Sequence, residues 1–186
     1  MPECVCPWWL GYWMAIPIRK WLMEDPEKLL APYVRTGMTV LEPGPGMGFF
    51  TLPMARLAGP AGRIIAVDIQ PQMLKGLERR AQKAGLSGRI ETRLAKSEAL
   101  GIEDLGSAVD VVLAFAVVHE MPSAEVFFVE AAAALKPGGV LFFAEPSGHV
   151  NREKFRIELD AARKAGLELI GEPRVSRSRA AVLRKQ

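Results

Sequence analysis

The chain has 186 residues, 49% of them hydrophobic and 24% charged, with a formal net charge of +3 from 24 basic and 21 acidic side chains. That length suits one domain with a real core, and the composition excludes a disordered chain. So mild a charge gives no electrostatic argument for nucleic acid.

Residues 1–24 read as an N-terminal aromatic arm, because Trp8, Trp9, Trp13 and Trp21 are the four tryptophans of the chain. No helical or strand period fits this stretch throughout. It either packs its rings on the domain or covers an active site and excludes water. Cys4 and Cys6 lie in the arm, too close in sequence for a mutual disulfide, and one cysteine pair falls short of a zinc ligand set, so no metal is expected. The apolar stretch from Trp8 to Ile18 is interrupted by Gly11 and Pro17 and lacks a basic leader. It is also shorter than the roughly 18 residues a spanning helix needs, so a soluble, cytoplasmic protein without a membrane span is expected.

Residues 25–186 read as a single domain of alternating strands and helices. Asp25-Pro26 opens a helix to about Tyr33, with aspartate as cap and proline at the first position. Met38–Glu42 is strand one, and Met47–Leu57 a helix in which Pro53 threatens a kink. Arg63–Asp68 is strand two, Pro71–Ala84 a helix stopped by Gly85, and Arg89–Leu94 an alternating edge strand. Ala108–Phe115 is strand four and Ala124–Leu135 a helix ended by Lys136-Pro137-Gly138-Gly139. Val140–Ala144 is strand five, Asn151–Ala165 a helix capped by Asn151, and Leu167–Gly171 and Ala180–Arg184 close the sheet. This order predicts an α/β fold with a doubly wound, mostly parallel seven-stranded sheet of Rossmann-like type, with ligands at the carboxyl ends of the strands.

The most informative stretch is Glu42-Pro43-Gly44-Pro45-Gly46-Met47-Gly48-Phe49. A dinucleotide loop spaces its glycines Gly-x-Gly-x-x-Gly, but here they alternate, and Phe49 stands where the third glycine would be. Glu42 before the loop is poorly matched to a pyrophosphate and well matched to a ligand with a cationic end. Asp68, at the end of strand two, is placed to accept from ribose hydroxyls.

These residues resemble the class I S-adenosylmethionine-dependent methyltransferases. The loop looks like their first motif, Val67-Asp68 like the acidic end of strand two, Asp110-Val111-Val112 like the strand-four motif, and Leu135-Lys136-Pro137-Gly138-Gly139 like the lead into strand five. Within the class the chain is most similar to the small-molecule branch that includes the ubiquinone and menaquinone biosynthesis methyltransferases. The resemblance implies S-adenosylmethionine as cofactor, with Glu42, Gly44, Pro45 and Gly46 around its methionine end and Gly48 easing backbone approach. It further implies Asp68 on the ribose, Ile69 against adenine, and Ala114, Phe115 and Ala116 beside the sulfonium. Many relatives carry an aspartate for the adenine amino group where this chain has Lys96; lysine offers no acceptor, which leaves Ser97 or Glu98 for that role.

Candidate acid–base groups for the acceptor follow strands four and five. They are His119, Glu145 and His149, and the two histidines are the only ones in the chain. Glu120 either orients His119 or faces solvent. The expected partner is a small-molecule substrate, with no nucleic acid. Two alternatives stay open: an RNA or protein methyltransferase that uses Arg174, Arg177, Arg179, Arg184 and Lys185, and a non-catalytic cofactor-binding protein.

Overall fold

The structure, a computed structural model, describes residues 25–96 and 99–186. The aromatic arm with Cys4 and Cys6, and the adenine candidates Ser97 and Glu98, lie outside the described residues. The chain divides into two compact units, with the boundary after Lys96.

In the first unit, α1 (Pro26–Leu30) begins as expected, the Asp25 carboxylate accepting from the Glu27 N–H at 3.1 Å. Three strands, β1 (Thr39–Pro43), β2 (Arg63–Asp68) and β3 (Ile90–Leu94), pair in parallel in the order β3-β2-β1. Apolar side chains make this unit cohere: Val40, Leu41, Ile64 and Ile65 of the strands are buried, as are Met54 of α2 (Thr51–Leu57) and Leu77 of α3 (Pro71–Lys83). Full burial of such side chains stabilises by roughly 1.5–3 kcal/mol each. Helix α3 ends in the glycine motif expected of it. Gly85 takes φ +68°, its N–H reaches the Gln82 carbonyl, and the Leu86 N–H reaches Ala81.

Two expectations need correcting here. The helix after the glycine loop starts at Thr51 instead of Met47, because Gly46 and Gly48 adopt left-handed φ values of 54° and 86° that a right-handed helix cannot contain. Pro53 then falls in the first turn, where an N–H has no intrahelical partner, so it removes no bond. Strand β3 shows no alternating burial. It is half-buried from Ile90 to Arg93 and exposed at Leu94, with Arg63 and Arg93 both paired to Glu91.

The second unit holds four strands in the order β4-β5-β7-β6. Strand β4 (Val109–Phe115) pairs in parallel with β5 (Leu135–Pro146); β7 (Ser178–Lys185) runs antiparallel to β5 and to β6 (Leu167–Gly171). Its core is aromatic. Phe128 of α4 (Ala124–Ala134) meets Phe143 of β5 edge-on at 5.4 Å, and Phe143 stacks on Phe155 of α5 (Arg152–Lys164) at 5.1 Å. Such ring pairs contribute about 0.5–1.5 kcal/mol beyond their buried area. Ser123 caps α4 and Asn151 caps α5 through their side-chain oxygens.

Lys136-Pro137-Gly138-Gly139 is not a turn between helix and strand. Helix α4 hands over directly to β5, whose register jumps between the pairs Val109–Leu135 and Val111–Val140. The four residues bulge from the ladder, held by Lys136 Nζ on the Asp110 carboxylate at 2.6 Å. Gly138 supplies φ +78°, and a Cβ at Gly139 would lie 2.9 Å from the Lys136 carbonyl oxygen.

Candidate functional site

In the first unit, the carboxyl ends of β1 and β2 bring together an acid, a glycine loop and a second acid. Glu42 is almost wholly buried, and its Oε2 accepts the Thr51 hydroxyl proton at 2.5 Å. Burial drives its carboxyl up to about 8, against the lowering effect of Thr51, and the nearby Asp68 charge adds to the rise. Asp68 is buried as well and is pushed up to about 6 by desolvation, opposed by the backbone N–H groups of Gln70, Gly46 and Ile69. The Gln70 N–H donates to its Oδ1 at 2.8 Å.

Between the two acids the loop is held from behind and open in front. The Gly44 N–H donates to the Val67 carbonyl of β2 at 2.9 Å, and the Pro45 carbonyl accepts the Gly48 N–H at 2.9 Å. Arg80 of α3 donates to the Met47 carbonyl, Gly76 of α3 leaves room for the Met47 side chain, and Leu77 lies where a Cβ on Gly48 would stand, 2.5 Å from its Cδ1. A Cβ on Gly46 would meet nothing within 4 Å. The loop therefore needs glycine at 48 for packing and conformation, and at 46 for conformation and open backbone. Ile69 is 44% exposed beside Asp68. A pair of costly buried carboxyls next to open, left-handed backbone suits a ligand that is cationic at one end and hydroxylated at the other.

The carboxyl ends of β4 and β5, in the second unit, carry a different cluster. Glu145 is fully buried, and both its oxygens are engaged: Oε1 accepts the Val118 N–H at 2.8 Å, and Oε2 is hydrogen-bonded to His119 Nδ1. That bond, as its largest cause, raises the His119 imidazole above its ordinary value, with burial opposing. With Nδ1 turned to Glu145, the proton-exchanging position is Nε2, which lies 4.0 Å from Glu120. The exposed His149 ring stands edge-on to His119 at 5.2 Å. Ala114 and Phe115 are buried, and Ala116 adopts φ +57°, its N–H donating to the Ala144 carbonyl at 2.7 Å. A non-glycine residue there stores strain of order 1 kcal/mol.

Both histidines and Glu145 thus fall in one cluster, with Glu145 as the buried orienter of His119, not a group at the rim. Glu120 lies near His119 but is not the residue that orients it. Lys96 is exposed. Sequence reasoning missed Thr51, whose signal was a hydroxyl at the start of the helix after the loop. It also missed Glu158 of α5, an acid in the stripe of buried residues Phe155, Glu158, Ala161 and Ala162. Among the described residues no group of three or more metal-ligating side chains converges. No described helix is long and apolar enough to cross a membrane.

The sequence model of the methyltransferase domain matches residues 35–170. The chain belongs to the methyltransferase-domain family. Among curated relatives, the chain is 33% identical to ribosomal protein L11 methyltransferase of Pelotomaculum thermopropionicum over 75% of its own length and 41% of that protein. It is 34% identical to ubiquinone biosynthesis O-methyltransferase of Methylocella silvestris over 64% of its length and 44% of that protein. It thus spans less than half the length of these relatives. A solved SAM-dependent methyltransferase from Aquifex aeolicus superposes with a TM-score of 0.86 at 22% identity, over 98% of this chain and 100% of that one. Aeropyrum pernix fibrillarin, solved with natively bound S-adenosyl-L-methionine, gives 0.67 at 22% identity over 84% and 74%. The α/β fold with a mostly parallel seven-stranded sheet is the methyltransferase fold, and S-adenosylmethionine is the cofactor of this family. The loop fits it: the buried acids Glu42 and Asp68 and the open backbone at Gly46 match a cation joined to a ribose.

Proposed function

We propose that this methyltransferase methylates a small molecule, with His119 as the base that takes the acceptor's proton. Glu42, Gly44, Pro45, Gly46 and Gly48 hold the methionine end of S-adenosylmethionine, and Asp68 with Ile69 the nucleoside end. Ala114, Phe115 and Ala116 line the sulfonium. The cofactor supplies a methyl group on a positively charged sulfur; the chain's own residues align the acceptor and move its proton.

The observation that carries this reading is the engagement of His119 Nδ1 by Glu145, whose other oxygen is bound to the Val118 N–H. A carboxylate fixed from both sides sets the imidazole's tautomer and orientation, leaves Nε2 as the acceptor site, and stabilises the imidazolium formed when it takes a proton. His149, set edge-on to His119, shields the same ring. The resemblance to ubiquinone-type methyltransferases supports a small acceptor. The basic C-terminal group supports the RNA or protein alternative less than its sequence suggests, since Arg184 pairs with Glu168 and Lys185 donates to the Leu135 carbonyl.

The test is transfer of isotopic methyl from S-adenosylmethionine by the full chain to a panel of phenols, quinols, amines and thiols, with RNA and protein as parallel acceptors. Label should enter a small acceptor, and His119→Gln should lower kcat by roughly 10²–10⁴-fold without weakening cofactor binding. Label confined to RNA or protein, or an unimpaired His119→Gln variant, overturns the proposal.

A further inference from the structure

Arg179 stands beside the proposed base with nothing to bind. Strand β7 runs antiparallel to β5, so its first residues lie at the same edge of the sheet as the last residues of β4 and β5. There Arg179 is the ladder partner of Glu145. Residues directly opposite in an antiparallel pair project from the same face, with Cβ atoms roughly 4.5–5.5 Å apart. Arg179 therefore leaves the sheet next to the carboxylate that holds His119, whose ring in turn meets His149 at 5.2 Å. Its backbone is firmly placed. The Ser178 N–H donates to the Val175 carbonyl at 3.2 Å and the Ser147 N–H to the Arg177 carbonyl at 2.9 Å, which ties the turn into β7 to itself and to the end of β5. From Ala180 to Leu183 the strand is buried.

The Arg179 side chain is half-buried, its Nε is buried without a hydrogen-bond partner, and among the described residues its guanidinium forms no ion pair. Balancing the charge of Glu145 is the plain reason for an arginine here. Yet both Glu145 oxygens are engaged, one by the Val118 N–H and the other by His119. A buried N–H left unpaired is costly, so a native structure that keeps one calls for a partner. The neighbouring cations differ: Arg184 pairs with Glu168, Lys185 donates to the Leu135 carbonyl, and Arg174 and Arg177 are exposed.

We propose that Arg179 binds an anionic group of the methyl acceptor, a carboxylate or a phosphate, and thereby selects acidic small molecules and turns their nucleophilic atom toward His119. This rests on His119 marking the acceptor's place. A guanidinium presents a planar fork of N–H donors that fits either oxyanion bidentately, and Nε is one arm of that fork. An acceptor gripped at its acidic end by Arg179 and relieved of its proton at the other by His119 is fixed at two points, as the alignment of an in-line transfer requires. A neutral isostere leaves the buried N–H unpaired, so the site discriminates by charge.

The experiment is an NMR titration of the ¹⁵N-labelled full chain with benzoate, phenyl phosphate and the neutral benzamide, with S-adenosylhomocysteine present throughout to fill the cofactor site. The readouts are the Arg179 Nε–H signal, assigned from its own backbone, and the imidazole signals of the two histidines. At least one anion should move the Arg179 signal and bind about 10–100-fold more tightly than benzamide, and the tighter anion identifies the group. Arg179→Gln should remove that preference, and Arg179→Lys should keep part of it, as a point charge without the fork. Benzamide bound as tightly as both anions, or anions that leave the Arg179 signal in place, overturns the proposal. So does a folded Arg179→Gln variant that binds the preferred anion within about twofold of wild type. If neither variant folds, the wild-type comparison decides alone. No methyl group is transferred in the measurement, so failure of the anion site is told apart from failure of His119 as base.

Discussion

The buried Glu42 makes cofactor affinity a function of pH. Its carboxyl stands at about 8 in the free protein because it is desolvated, so at pH 7 about nine-tenths of the molecules carry a proton there. A cationic ligand end favours the ionised carboxylate, and binding must therefore expel that proton. The apparent Kd should fall about 15-fold between pH 6.5 and 8 and flatten above. Isothermal titration with S-adenosylhomocysteine, which keeps the cationic amino-acid end, measures this directly. Buffers of different ionisation enthalpy should count about 0.9 proton released per ligand at pH 7. Glu42→Gln keeps an oxygen for the Thr51 hydroxyl but removes the titrating group; its Kd should be weaker at pH 8 and vary less than about twofold over the range. Stability has the opposite trend. A carboxyl raised in the folded state favours folding below its unfolded value, and that contribution is lost as pH rises from 4.5 to about 8. At about 1.4 kcal/mol per pH unit, the loss is of order 5 kcal/mol, and Glu42→Gln should abolish it in denaturant titrations. A wild-type Kd that is flat between pH 6.5 and 8, with no proton released, would refute the reasoning.

Two further substitutions probe the backbone at each strand end. Gly48→Ala puts a Cβ 2.5 Å from Leu77 Cδ1 at φ +86°, and should cost about 1–3 kcal/mol in denaturant unfolding and weaken cofactor binding by calorimetry. Ala116→Val puts a β-branched residue at φ +57°, and should cost about 1–2 kcal/mol, while Ala116→Gly should stay within about 0.5 kcal/mol of wild type. Equal stability of the Val and Gly variants would show that position 116 carries no backbone strain.

Much of this was legible in the chain. Arg63–Asp68 occupies the residues expected of it, because an apolar run bounded by turn residues is buried along its length from Ile64 on; Leu167–Gly171 also falls where expected, as a mostly exposed strand after Gly166. Capping side chains placed α1 and α5 to within a few residues, since Asp25 and Asn151 act on amides two or three positions away. The errors came where backbone conformation or distant pairing decides. Nothing in Met47-Gly48-Phe49-Phe50 says that two left-handed glycines forbid a helix. Nor does Lys136–Gly139 say that its flanks pair with β4. The acids at the strand ends and the two histidines were found from motif and position. The chain distance between Glu145 and His119 hid their bond, and Glu158 looked like any helical glutamate until its face was known.

The direct handover of α4 to β5 has a consequence for how this chain tolerates change in length. Most crossovers keep slack in a loop, so a residue gained or lost moves only the loop. Here the last helical residue, Ala134, is followed at once by Leu135, which is already paired with Val109, and after the four residues 136–139 Val140 is paired with Val111. The stretch is pinned at both ends and braced in the middle by Lys136 on Asp110. A one-residue deletion between 136 and 139 would shift β5 by one position and turn Phe142 and Phe143 to opposite faces of the strand. Length variation in this unit belongs instead in the loop at 172–174, between β6 and β7, where no strand pairing fixes the chain.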